Sequence, residues 1–177
     1  AIGSLNVNGG MTHRCYHDDN EITIYREEDI IKVFFHETMH TFKLDFNNPC
    51  KEELKSIVNI NSDVNLFESY CETWARTINI LYYDLFHKGA NTIERLIINE
   101  SIFAFLQARK VLNHYKLSFV DLHHDVSKVT ANFIEETNTF SYYIFTSMML
   151  THINLFMTFC VTNNENVIKM NSEKVNE

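Results

Sequence analysis

Proline occurs once in this chain and glycine only four times, and nothing resembles a glycine-rich loop of the kind that cradles a phosphate. Basic residues are also in short supply: 15 Lys and Arg stand against 23 Asp and Glu, for a formal net charge of -8 and a pI near 5.6. No basic stripe is available to neutralise phosphates, so no nucleic-acid partner is expected. The four cysteines, Cys15, Cys50, Cys71 and Cys160, lack C-x-x-C spacing, and Cys71 and Cys160 lie within apolar helical patterns. They read as free thiols of an intracellular, reducing compartment, with a disulfide in a secreted protein as the alternative. The longest apolar run, residues 142–161, is interrupted by Ser147, Thr151, His152, Asn154 and Thr158. Unpaired polar groups are costly in hydrocarbon, so the run reads as a buried helix and no membrane partner is expected. Repeats and a Ser- or Cys-centred nucleophile constellation are missing as well. No basic segment leading into an apolar one opens the chain, so no secretory leader is expected. The first residue is Ala1 and not Met, which leaves a processed product or a piece of a longer chain open.

What is present is a motif. Residues 33–40 read Val-Phe-Phe-His-Glu-Thr-Met-His, an H-E-x-x-H inside an apolar segment of helical period. On a helix His36 and His40 lie one turn apart on one face, so two imidazole nitrogens can converge on one Zn²⁺ with Glu37 beside the open position. That arrangement points to zinc peptidase chemistry. The bland alternative is a chance pair of surface histidines.

The flanking sequence supplies a setting. At 177 residues, 45% hydrophobic and 21% charged, the chain has enough apolar material for one well-buried domain. Residues 5–12 alternate and end at Gly9-Gly10, which predicts a strand and a turn. Residues 21–25 alternate over β-rich composition and predict a second strand, antiparallel to the first across the polar connection 12–20. An exposed sheet edge beside a metal site would let a peptide substrate add itself as a strand. The acidic run from Glu27 to Asp29 suits the start of a helix reaching about Lys43, with Ile30, Val33, Phe34 and Met39 packed inward. Pro49 interrupts residues 44–62, which read as a loop on the substrate side with a short helix near 52–58.

A second long helix is expected from a cap at Ser62 or Asp63 to a glycine stop at Gly89. Its core stripe is Phe67, Cys71, Trp74, Ile78, Leu81 and Leu85. The adjacent stripe carries Glu68, Glu72, Arg76 and Asn79. Two carboxylates one turn apart are what a zinc site with two histidines still needs. Without a metal, the same stripe would be a solvated acidic face with a Glu72–Arg76 ion pair.

The pairing of His36-Glu37-x-x-His40 with a later helix bearing Glu68-x-x-x-Glu72 resembles the gluzincin branch of the zincin metallopeptidases. The resemblance covers about a quarter of the chain and implies Zn²⁺ as cofactor, Glu68 as third ligand and Glu72 as the carboxylate behind His36. Phe67 and Glu72 replace the Asn and Asp of that branch's commonest form, so Glu68 and Glu72 both stay open as the ligand. The Y-R-E-E-x-x-x-K-V-x-x-H-E pattern, with an Asn- and Ile-rich composition, is also similar to uncharacterised H-E-x-x-H proteins of large DNA viruses. Host cytoplasm or a virion is the corresponding location. A metzincin would need Gly and His where Lys43 and Phe46 stand, so that branch is excluded. Asp45, one residue short of an aspartate-ligand position, is a weaker alternative ligand.

In such a site Glu37 is the general base and a hydrogen-bond donor must stabilise the tetrahedral intermediate. Tyr142 and Tyr143 are the first candidates for that donor, followed by His123, His124 and His152; His13 and His17 are further options, and core packing or capping is the alternative for all. The region from Asn91 on predicts helices over 91–114, 118–132 and 139–161. The expected fold is a single α+β domain over 1–162, mainly helical and zincin-like with a small N-terminal β-sheet, then a polar solvated tail over 163–177. The expected function is peptide-bond hydrolysis on a peptide or protein substrate. A catalytically inactive zincin-like structural or binding protein is the alternative, and a deformylase-like hydrolase with Cys15, Cys50 or Cys71 as a ligand is a weaker one. The sequence leaves the oligomeric state open.

Overall fold

The computed structural model describes residues 2–13, 20–45, 54, 57, 58, 60, 62, 64–86 and 92–170. The chain opens with one helical turn, α1 (Ser4–Val7), where alternation predicts a strand. The turn closes on itself, since the Gly3 amide donates to Asn6 Oδ1 (3.2 Å) and the Asn6 amide to the Gly3 carbonyl (2.9 Å). Such local bonds compete with an extended ladder. Strand β1 (Gly10–Thr12) then pairs antiparallel with β2 (Ile22–Ile24), Gly10 opposite Ile24 and Thr12 opposite Ile22. The second strand lies inside the stretch that predicts it. The glycine pair serves close approach. A Cβ on Gly9 would come within 2.6 Å of Val33 Cγ2, and one on Gly10 within 2.7 Å of Val33 Cγ1 and 2.8 Å of the Thr23 carbonyl.

A 3-10 turn (Glu27–Asp29) leads into α2 (Ile30–Thr41). The helix ends where Lys43 turns left-handed (φ 52°) and the Leu44 amide reaches back to the Met39 carbonyl at 2.9 Å. Val33 and Met39 are buried as expected, but Ile30 and Phe34 are nearly half exposed. Gly9 and Gly10 lie against Val33 and Glu37 of α2, and Thr12 Oγ1 meets Thr41 Oγ1 at 2.9 Å. Strands of three residues are too short to reach further.

Helix α3 (Leu66–Phe86) is the central element, buried on every side from Ser69 to Thr77. It starts four residues after Ser62, so Ser62 does not cap it; Asp63 and Gly89 lie outside the described residues. The predicted core stripe holds for Cys71 and Trp74, is half-buried at Phe67 and Ile78, and fails at Leu81 and Leu85, which are exposed. Helix α4 (Ile93–His114) is capped by Thr92, whose hydroxyl accepts the Arg95 amide at 3.3 Å; Asn91 is outside the described residues. It buries Ala104, Ala108, Val111 and Leu112, while Ile93, Phe103 and Leu106 face out. The segment 118–132 divides into α5 (Asp121–His124) and α6 (Val126–Asn132), because Asp125 Oδ1 caps a new helix by accepting the Lys128 amide at 3.0 Å.

The last apolar run begins as a π-helical turn (Phe140–Phe145), continues as α7 (Thr146–Thr151), breaks at His152 and resumes as α8 (Ile153–Asn163). The two arms meet at 92°, and among the described residues no single helix is long and apolar enough to cross a membrane. Of the polar segment after Asn163, the described residues 164–170 are only partly solvated. Met170 is buried, its amide donates to the Leu44 carbonyl at 3.0 Å, and Tyr70 donates its hydroxyl proton to the Ile168 carbonyl. One apolar cluster joins Leu112, Val129, Phe133, Phe140 and Ile144; another joins Met39, Tyr70, Trp74, Phe156 and Cys160. The architecture is the expected mainly helical α+β one with a two-stranded sheet.

Candidate metal centre

The H-E-x-x-H lies wholly within α2, and its two imidazoles face α3. His36 Nε2 and His40 Nε2 are 3.2 Å apart, and Glu68 Oε2, from the first turn of α3, lies 3.3 Å from each. A tetrahedral zinc with bonds of about 2.0–2.1 Å has donor-to-donor edges of roughly 3.3–3.4 Å. The triangle of donors therefore has the size of one face of that tetrahedron.

The donors' reverse sides fit the same ion. His40 Nδ1 is 2.9 Å from Asp45 Oδ2, and His36 Nδ1 is 3.2 Å from Glu72 Oε2, at an angle too poor for a well-formed hydrogen bond. Both carboxylates favour a proton on Nδ1, which leaves the lone pair on Nε2. Two lone pairs and a carboxylate oxygen at such distances repel unless a cation or protons intervene. In the metal-free chain the surrounding carboxylates favour protons there. Burial opposes charging of His40, but Asp45, Cys71 and Glu68 outweigh it and push its pKa up to about 12. His36 is raised as well, burial again opposing and Glu68 and Glu72 prevailing. Glu68 is driven well below the usual carboxylate range, because both histidines overcome its burial.

Glu72 occupies a different place from Glu68. Its carboxylate takes Lys32 Nζ at 3.0 and 3.3 Å and Arg76 Nε at 2.8 Å, and Arg76 also binds Glu100. The Glu72–Arg76 pair thus exists, but inside the protein and not on a solvated face. Burial of Glu72 is outweighed by Lys32 and Arg76, so the carboxyl is held well below its usual pKa. Glu37 is buried beside the histidines, and burial raises its pKa against the partial opposition of His36 and His40.

Tyr142 comes from the π-helical turn, donates its hydroxyl proton to Glu68 Oε2 at 2.9 Å and sets its ring 5.7 Å from that of His36, tilted by 53°. His36, Glu37, Tyr142 and Tyr143 all line a cavity of about 230 Å³. Tyr143 lies on its wall and makes no hydrogen bond to the two histidines or Glu68. His13, His123, His124 and His152 are exposed and do not line it; His17, Cys15 and Cys50 lie outside the described residues. Asp45, the alternative ligand, sits behind His40 and away from Glu68's side of the ring. Cys71 Sγ also approaches His40 Nδ1, at 3.8 Å, with its thiol pushed up to about 12 by burial. Asp45, Cys71 and His40 form a second group of converging donors that shares His40 with the first.

Sequence reasoning missed Lys32 and the orienting positions of Asp45 and Arg76. Lys32 stands four residues before His36 and Arg76 four after Glu72, so helical spacing alone marks both. Asp45 becomes visible only once the left-handed turn at Lys43 folds it back onto His40.

No family model and no solved structure matches the chain. The chain is 26% identical over 133 residues to an uncharacterised protein of Acanthamoeba polyphaga mimivirus, a match covering 68% of this chain and 32% of that protein. The chain thus spans about a third of the length of this curated relative. The similarity supports a viral relationship, as the resemblance to proteins of large DNA viruses anticipates, and it carries no activity with it.

Proposed function

We propose that the chain is a zinc-dependent metallopeptidase of gluzincin type, in which His36, His40 and Glu68 hold the metal. The observation that carries this reading is the convergence of three donors at zinc spacing, with carboxylates behind both imidazoles and a buried Glu37 beside them. A zinc ion bound there would supply a Lewis acid for the scissile carbonyl and lower the pKa of an attacking water.

The chain's own residues supply the rest. Glu37 takes a proton from the water as its oxygen bonds to the carbonyl carbon, then delivers it to the amine nitrogen as the C–N bond breaks. Burial, which raises its pKa, makes this carboxylate a better proton acceptor than an exposed one. Asp45 holds the His40 ring by a hydrogen bond, and the nearby charge of Glu72 biases the His36 ring, toward the tautomer that aims Nε2 at Glu68. Lys32 and Arg76 keep Glu72 ionised in a buried place. Tyr142, whose hydroxyl donates to Glu68 Oε2, is our candidate for stabilising negative charge on the carbonyl oxygen once that proton turns away from Glu68. Tyr143, further along the wall, is left to shape the cavity.

Metal analysis after dialysis, with a quenched-peptide library on the same samples, tests this. Wild type should carry one zinc, Glu68→Gln should lose it, and Glu72→Gln should retain it with affinity lower by about 10–100-fold. Glu37→Gln should keep the zinc and lose roughly 10²–10⁴-fold in cleavage. A wild type that takes up no zinc and keeps its fold under chelation would replace this reading with that of an inactive zincin-like structural or binding protein.

A further inference from the structure

The cavity beside Glu37 is richer in cations than a chain of net charge -8 leads one to expect. Arg26, Lys32 and Arg76 all line it, with Asp29, Glu37 and Glu72. Two of the cations are already neutralised, because Glu72 takes Lys32 and Arg76, and Glu100 takes Arg76 again. Arg26 is different. Its one hydrogen bond among the described residues runs from Nη2 to the Asn6 carbonyl at 2.7 Å, a neutral acceptor, and no carboxylate of the described residues lies within ion-pair distance. Asp29, on the same rim, is exposed and does not pair with it.

A guanidinium has five N–H donors in a rigid fork, so this half-buried group keeps most of its donors and its whole charge for something else. The bond to Asn6 ties the fork to the end of α1, whose Val7 and the following Asn8 form the neighbouring wall. Tyr143 and Gln107, on the same cavity, add a hydroxyl and an amide. A planar carboxylate, as a peptide carries, matches such a fork with two parallel hydrogen bonds.

We propose that Arg26 makes this cavity a carboxylate-binding subsite, so that the substrate is a peptide presenting either an acidic side chain or a free C-terminal carboxylate there. The word substrate rests on the peptidase reading; the binding of a carboxylate does not. The test is calorimetric titration of zinc-free protein, which removes any ligation of the probe by metal. The probes are acetyl-Gly-Glu-amide, acetyl-Gly-Gly with a free C-terminus, and acetyl-Gly-Gln-amide, which has no carboxylate.

At least one of the carboxylate probes should bind roughly tenfold or more tightly than the Gln amide, and Arg26→Gln should abolish that preference while leaving weak binding of the amide unchanged. Preference for the Glu probe assigns a side chain as the ligand, and preference for the free terminus assigns a terminal carboxylate. Equal binding of all three by wild type overturns the proposal, as does a preference that survives Arg26→Gln. Should Arg26→Gln not fold, the arginine Nε–H resonance that Arg26→Lys removes identifies Arg26 in wild type. That resonance must shift with the carboxylate probe and stay in place with the amide; the reverse overturns the assignment. Loss of zinc binding and cleavage with the carboxylate preference intact would sink the peptidase reading alone.

Discussion

His40 is the residue on which the two halves of the site meet, with Nε2 toward His36 and Glu68 and Nδ1 toward Asp45. In metal-free protein its folded pKa of about 12 lies above the ordinary 6.5. The charged ring therefore stabilises the fold fully below pH 6.5, and that contribution drains away as the pH rises toward about 12. Glu68, shifted down from 4.5, reports the same contacts from the other side: its contribution is present above pH 4.5 and is lost as the pH falls through its depressed value. Chelator-treated protein should accordingly lose urea resistance between pH 6.5 and about pH 9. Zinc-loaded protein should lose none over that range, because folded histidines that hold the metal carry no proton and unfolded ones carry few above pH 6.5. Urea midpoints at several pH values, with His40→Asn as a control of shallower slope in the metal-free state, check both; equal slopes with and without zinc would contradict the site. The i,i+4 spacing made His36 and His40 legible as a pair. Asp45 was less so, because its contact depends on one left-handed residue, Lys43.

At the scale of elements, the site depends on how tightly β1 lies on α2. Gly10 is the measure of that closeness: an added Cβ would stand 2.7 Å from Val33 Cγ1, 2.8 Å from the Thr23 carbonyl and 3.3 Å from Glu37 Cγ. The carbonyl belongs to the paired strand and cannot rotate away as a side chain would. Gly10→Ala should destabilise the protein by about 1–3 kcal/mol, the usual cost of overpacking, and should disturb Glu37 more than the histidines. Denaturant unfolding checks the first part, and cleavage falling while zinc content holds checks the second. The Gly9-Gly10 pair suggested a turn because glycine most often serves one. Its use here for close packing involves a partner, Val33, more than twenty positions away. Helix α3 shows the same limit. Periodicity located the helix and the buried Cys71 and Trp74, but Leu81 and Leu85 continue the stripe past the point where neighbours cover it.

For the whole molecule, the centre ties α2 to α3, which are separated in the chain by residues 42–65. Removing zinc should loosen that tie. At free zinc a thousandfold above its dissociation constant the gain is about 4 kcal/mol, which for a domain of this size is on the order of 10 °C in melting temperature. Calorimetry with and without zinc should show this shift in wild type and none in Glu68→Gln. Two local regularities were determined by the sequence itself: the helical spacing that puts His36 with His40, and the same spacing that puts Glu68 with Glu72. Helix geometry needs no distant contact, so both pairs follow from the order of residues. Which carboxylate meets the two Nε2 atoms, and which is held by Lys32 and Arg76, was decided only by the tertiary structure. That choice depends on the axial position of one helix against another, and packing of Met39, Tyr70 and Trp74 with α8 sets it through contacts no local pattern encodes.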